Sequence, residues 1–339
     1  MSMLSTFALA AGLVGFVASA LHAQTAKPQA AAPDVTPGSI TCEECPYPYP
    51  SSYLPLTLYG QDVRMAFMDV APQGTANGHT VMIFHGHNFA GFYFGTIIDA
   101  LRKVGFRVVV VDQIGYGRSS KPIIPYNLND MARNSHAILQ SLKIERAMII
   151  GHSMGGMVAA RFASLYPKVA ERVLIYNPIG LSDTRHGRAP GSVDAAYKTA
   201  LGATYQSVKA GLMRYVAHDP SAWNDEFEKY ARIRYAWTLG ADWPRLAMVQ
   251  SLTGSVIQSD PVVYDWAHIQ APTLAFGGAE DILPGTVTLF QDRMKVLADT
   301  VPNKNGRLHL IPGLGHVPHL EDPAKTIPPM VAFLREGLN

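Results

Sequence analysis

The sequence predicts an α/β protein: a mostly parallel, doubly wound sheet of about eight strands with an inserted helical cap. Three observations carry this. Short continuous apolar runs alternate with amphipathic stretches of helical length from about residue 80 to the C-terminus. The runs are apolar without a break, as in strands covered on both faces. About 90 residues then separate two neighbouring runs, far more than a crossover helix requires.

Leu54, Leu56 and Leu58, then Val63, Met65 and Phe67, alternate like a half-buried antiparallel start. Apolar strands are expected at Val81–Phe84, Val108–Val111, Ala147–Ile150, Val173–Tyr176, Thr273–Phe276 and Leu308–Ile311. Amphipathic helices fall between most of them, near Tyr93–Val104, Asn129–Leu142, Met157–Tyr166, Gly285–Leu297 and Pro323–Leu334. The long interval before Thr273 is helix-like and holds all four tryptophans, Trp223, Trp237, Trp243 and Trp266. Residues 54–178 and 269–339 are therefore read as the core, and 179–268 as the cap.

The N-terminus reads differently. No charged side chain occurs in the first 21 residues, and Phe7 to Ala20 is apolar. Ala18-Ser19-Ala20 and Ala23 offer small-residue cleavage sites, so residues 1–23 are read as a secretory signal peptide and the protein as periplasmic or secreted. An uncleaved membrane anchor is the rival reading. Residues 24–53 are read as an Ala/Pro-rich arm. They hold the two cysteines, Cys42 and Cys45. No further Cys or His follows at zinc-finger spacing, and Pro46, Pro48 and Pro50 forbid the helix that a thioredoxin-type site would open. The pair is expected to form a small disulfide clip of modest stabilising effect.

Hydrophobic residues make up 48% of the chain and charged residues 16%, the mark of a folded, well-cored protein. A net charge of +2 without a clustered basic run argues against nucleic acid as a partner. No Gly-x-Gly-x-x-Gly follows a strand, so nucleotide binding has no support.

The chemistry centres on Gly151-His152-Ser153-Met154-Gly155-Gly156, between an expected strand and an expected helix. Gly-x-Ser-x-Gly in that setting describes a sharp turn that exposes a serine hydroxyl, and its flanking positions must be almost side-chain-free. Four further segments accompany it. They are His85-Gly86 after a strand; Asp112 to Ser119, with Gly115 and Gly117 as a structural bend; Gly278-Ala279-Glu280-Asp281-Ile282-Leu283-Pro284; and Gly313-Leu314-Gly315-His316-Val317-Pro318. With these five segments in order, the chain resembles the α/β-hydrolases over residues 54–338, with a cap after the sixth strand. That resemblance implies a Ser…Asp…His triad.

The candidate nucleophile is Ser153, whose hydroxyl needs a base. His316, in the loop after the last strand, is preferred over His319 three residues on; His309 lies within the strand and reads as packing. Asp281, after strand Thr273–Phe276, is the candidate acid that would hold one imidazole tautomer. Some relatives place the acid after the sixth strand, where this chain has Asn177. The backbone amides of Met154 and His87 are the candidate oxyanion donors, and the side chains of His87 and Asn88 are candidates to reach the pocket. Trp223, Trp237, Trp243 and Tyr235, with Tyr230 and Tyr264, are candidate substrate-pocket residues. A serine rather than an aspartate at the turn implies acyl transfer on a small-molecule carboxylic ester, with no metal and no organic cofactor required. Lactone, amide or C–C bond hydrolysis and non-catalytic small-molecule binding remain the alternatives.

Overall fold

The computed structural model describes residues 32–187, 189 and 191–338. The expected signal segment, residues 1–23, lies outside them. Eight strands form one sheet: β1 (Ser52–Leu58), β2 (Gln61–Val70), β3 (Thr80–Phe84), β4 (Arg107–Val111), β5 (Ala147–His152), β6 (Ala170–Tyr176), β7 (Thr273–Gly278) and β8 (Gly306–Ile311). Their spatial order is β1-β2-β4-β3-β5-β6-β7-β8. The first two pairings are antiparallel and all later ones parallel.

Strand alternation sorts the core into two layers. Val81, Ile83, Val108, Val110, Met148 and Ile150 face α1 (Gly95–Lys103) and α10 (Pro323–Arg335) through Ile98, Leu101, Met330 and Phe333. Met82, Phe84, Val109, Val111 and Ile149 face the opposite layer, made of α2 (Leu128–Ser141), α3 (Met154–Leu165) and α8 (Val287–Thr300), through Leu139, Phe162 and Met294. Helix starts carry local caps. The Asn127 side chain accepts from the Asp130 amide at 2.8 Å, and Thr286 Oγ1 from the Leu289 amide at 3.1 Å.

Between β6 and β7 lie α4 (Val193–Leu201), α5 (Tyr205–Met213), α6 (Asp225–Leu239) and α7 (Trp243–Ser259). On α3, Arg161 ties the end of this insertion to the core, reaching Asp260 at 3.0 Å and Asp265 at 2.9 Å. A short helix, α9 (Pro318–Glu321), follows β8. Among the described residues, no helix is long and apolar enough to cross a membrane.

The arm needs correction. From Pro33 onward the chain is one compact unit, and the described part of residues 24–53 belongs to it instead of trailing away. The Gly38 amide donates to the Ala236 carbonyl on α6 at 2.8 Å. Tyr47 Oη donates to Asp112 just after β4, and Arg118 lies over the Tyr47 ring at 4.0 Å. Cys42 and Cys45 are disulfide-bonded and buried. Aromatic side chains inside a Pro-rich stretch supply the apolar surface and the hydroxyls that dock it.

Candidate active site

Ser153 sits at the β5–α3 turn with φ +57° and ψ −121°, a left-handed backbone that a non-glycine residue adopts only under constraint. The constraint is close packing around the turn. A Cβ on Gly151 would lie 2.0 Å from the Gly155 carbonyl oxygen, and one on Gly155 would lie 2.2 Å from that of Phe84. Only hydrogen fits at both places.

The loops after β5, β7 and β8 bring three side chains together at the C-terminal edge of the sheet. Ser153 Oγ stands 2.9 Å from His316 Nε2, and His316 Nδ1 stands 2.6 Å from Asp281 Oδ2. All three are buried. A carboxylate can only accept, so Nδ1 carries the proton and Nε2 is left to accept from the serine hydroxyl. Asp281 is itself held: Oδ1 accepts from the Leu283 amide at 2.9 Å and Oδ2 from Asn177 Nδ2 at 2.9 Å. Asn177, at the end of β6, thus donates to the acid from the position where some relatives place theirs. The His316 amide donates to the Tyr215 carbonyl of the cap at 2.9 Å.

His319 lies elsewhere. Its Nδ1 is 2.9 Å from Tyr176 Oη and its Nε2 is 3.1 Å from the Tyr93 carbonyl. Burial pushes its pKa down to about 3, so it is a neutral packing residue. His309 is exposed on β8 and stacks on Phe276, with ring centroids 5.6 Å apart.

A network not foreseen from the sequence surrounds the serine turn. The Gly86 amide donates to Tyr93 Oη at 3.0 Å, and that hydroxyl donates to His152 Nδ1 at 2.7 Å. His152 Nε2 then faces the His316 carbonyl at 2.8 Å. Burial, reinforced by the neighbouring imidazoles of His316 and His319, holds the His152 pKa well below its usual value. The histidine was visible inside Gly-x-Ser-x-Gly; its partner Tyr93, 59 positions away, had no local signal.

Met154 opens α3, where amides have no intrahelical acceptor. Gly86 passes so near the nucleophile that a Cβ there would lie 2.9 Å from Ser153 Cβ, which brings the following residue, His87, to the same turn. Ser153, His87 and Asn88 line a cavity of about 500 Å³, together with Ile179, Leu181, Tyr215 and Leu283. The His87 ring is fixed by Tyr116 Oη, 2.6 Å from Nδ1, and burial pushes its pKa down to about 3. Asn88 Nδ2 donates to Tyr215 Oη.

The aromatic pocket expectation is corrected. None of Trp223, Trp237, Trp243 and Tyr235 lines the Ser153 cavity. Trp223 stacks on Phe227, and Trp243 Nε1 donates to the Ala200 carbonyl at 3.2 Å. Tyr235 packs edge-on to Tyr205, Trp237 lines a separate, smaller cavity, and Trp243 also lines a neighbouring one of about 250 Å³. Tyr230 packs on Phe89 and Phe92, while Tyr264 is exposed. A cap of amphipathic helices must first build its own core, and the rings are used there.

Residues 81–328 match the alpha/beta hydrolase family, and the chain belongs to it. Within it, the chain is 27% identical to a 2-hydroxy-6-oxononadienedioate/2-hydroxy-6-oxononatrienedioate hydrolase of Burkholderia vietnamiensis, over 84% of this chain and 96% of that one. A crystal structure titled a probable hydrolytic enzyme from Pseudomonas aeruginosa superposes with a TM-score of 0.81 at 34% identity, covering 90% of this chain and 99% of that one. A thermophilic esterase from Thermogutta terrifontis shares the fold, with a TM-score of 0.65 at 20% identity over 85% of this chain and all of the other.

Proposed function

We propose that this hydrolase cleaves a small-molecule carboxylic ester through an acyl-enzyme formed on Ser153. The observation that carries the reading is the alignment of Ser153 Oγ, His316 and Asp281 at 2.9 Å and 2.6 Å. His316 Nε2 takes the hydroxyl proton as Oγ attacks the ester carbonyl, and Asp281 stabilises the imidazolium. The amides of Met154 and His87 donate to the oxyanion. His316 then protonates the leaving alcohol, and later activates the water that releases the acid.

The disulfide between two buried cysteines near the N-terminus supports an oxidising compartment, and with the apolar leader it favours the periplasm or secretion. A p-nitrophenyl ester series tests the chemistry. Wild type should show an acyl-enzyme burst, and Ser153→Ala should lose turnover while keeping its fold. Unchanged turnover in the variant would sink the mechanism. A second reading, hydrolysis of an oxodienedioate-type substrate, is favoured by the Burkholderia relative. Turnover of such a compound where every simple ester fails would select it.

A further inference from the structure

Four cavities of about 20, 250, 470 and 500 Å³ meet at His87–Asn88, each lined by one or both residues. No aspartate or glutamate lines any of them, but lysine or arginine lines three. Arg214 lines the cavity of Ser153. Arg234 lines the neighbour of about 250 Å³, which shares Asn88 and Gly211 with it.

Neither arginine is neutralised. The half-buried Arg234 donates Nη1 to the Asn88 main-chain carbonyl at 2.9 Å, the one hydrogen bond of its side chain among the described residues. The exposed Arg214 side chain makes no hydrogen bond or ion pair among them. No acid is hidden from view, since every Asp and Glu of the chain lies between Asp34 and Glu336 and none occupies an undescribed position.

The protein pairs its buried arginine differently elsewhere. Arg161, with its side chain 13% exposed, holds two carboxylates, Asp260 and Asp265, at 3.0 and 2.9 Å. A guanidinium withdrawn from water without such a partner is costly, and an anionic ligand removes that cost. It also presents five N–H donors in a planar fork suited to a carboxylate, and Arg234 uses one. Asn88 joins the two places. Its carbonyl holds Arg234, its side chain lines the nucleophile's cavity, and its neighbour His87 offers the proposed oxyanion amide.

We propose that the ester attacked by Ser153 carries a carboxylate remote from its reacting carbonyl, that Arg234 binds this carboxylate, and that Arg214 draws it into the cavity. The proposal rests on the ester reading above. It assigns a monoester of a dicarboxylic acid, or a comparable anionic ester, as the substrate class.

Matched pairs test it: the p-nitrophenyl monoesters of adipic, pimelic and suberic acid against p-nitrophenyl hexanoate, heptanoate and octanoate. At low ionic strength, kcat/KM for at least one monoester should exceed that of its neutral match by about tenfold or more. The ratio should shrink in high salt, fall towards one in Arg234→Gln through KM, and largely survive in Arg234→Lys. Arg214→Gln should flatten its salt dependence. Preference for the neutral ester at every length, or a ratio that Arg234→Gln does not move, overturns the proposal. Should Arg234→Gln fail to fold, the salt series and the lysine variant decide between the same two outcomes.

Calorimetric titration of adipate, pimelate and suberate into Ser153→Ala separates this idea from the ester reading. Dicarboxylate binding that depends on Arg234, in a protein inert to every ester, upholds the anion site and removes the ester chemistry. Absence of binding in such an inert protein overturns both.

Discussion

His152 Nε2 donates its proton to the main-chain carbonyl of His316 across 2.8 Å, joining residues 164 positions apart. A carbonyl only accepts, so this bond fixes the His152 tautomer and leaves Nδ1 to accept from Tyr93. The residue before the nucleophile thereby holds the loop of the base, and through Tyr93 it reaches the Gly86 amide beside the oxyanion loop.

Tyr93→Phe deletes the middle of this chain and leaves two buried polar groups without their partner. We expect kcat to fall by roughly tenfold with KM little changed, and stability to fall by about 1–3 kcal/mol. Burst kinetics alongside a thermal melt check this. A lowered Tm with unaltered acylation would mean that the network serves folding alone.

Asn177 donates to Asp281 Oδ2 at 2.9 Å and accepts from the Gly278 amide at 2.9 Å. Asn177→Asp would set a second carboxylate against the first, and like charges so near share one proton. The shared site then has a raised pKa in the folded state, so its stability falls as pH rises. A loss of about 2–4 kcal/mol at pH 8, smaller at pH 5, is expected from denaturant melts. A loss independent of pH would contradict this account.

Burial pushes the Glu321 carboxyl up to about 7, helped by Asp281 and Asp219 and opposed by the Gly315 and Val317 amides; His218 Nε2 lies 3.3 Å away. Below the unfolded value near 4.5 the group is protonated in both states. Between there and about 7 only the folded protein keeps the proton, so stability drops across that window. Glu321→Gln removes this titration. Its stability relative to wild type should rise by roughly 1–3 kcal/mol from pH 4.5 to pH 8. A flat difference across that range would refute the assignment.

Gly151→Ala forces a methyl into the Gly155 carbonyl, which lies in helical backbone and cannot yield cheaply. A destabilisation of at least about 3 kcal/mol is expected, read as loss of soluble folded protein or a large fall in denaturation midpoint. A near-wild-type midpoint would show that the turn can relax.

The sheet was legible because its strands are short, apolar and flanked by helices with their own periodicity. Ser153, Asp281 and His316 stood out because each lies just beyond a recognisable strand, so local sequence located it. Trp223 and Tyr235 did not sort correctly, since a cap helix buries rings against its neighbours as readily as against a ligand. Tyr93 and the docked arm were invisible for a different reason. Their partners lie far along the chain, Tyr47 and Asp112 being 65 positions apart, and no period or motif encodes such a meeting.

That docked arm also limits how the cavity can be reached. It is pinned to cap helix α6 at Gly38 and to the sheet edge at Tyr47, with a disulfide-closed turn between. Nine residues fully extended span roughly 30 Å, and the bridge holds the Cys42 and Cys45 Cα atoms 5.1 Å apart, taking up part of that reach. While both ends hold, a cap lifting away from the sheet as one body can travel no farther than that shortened chain allows.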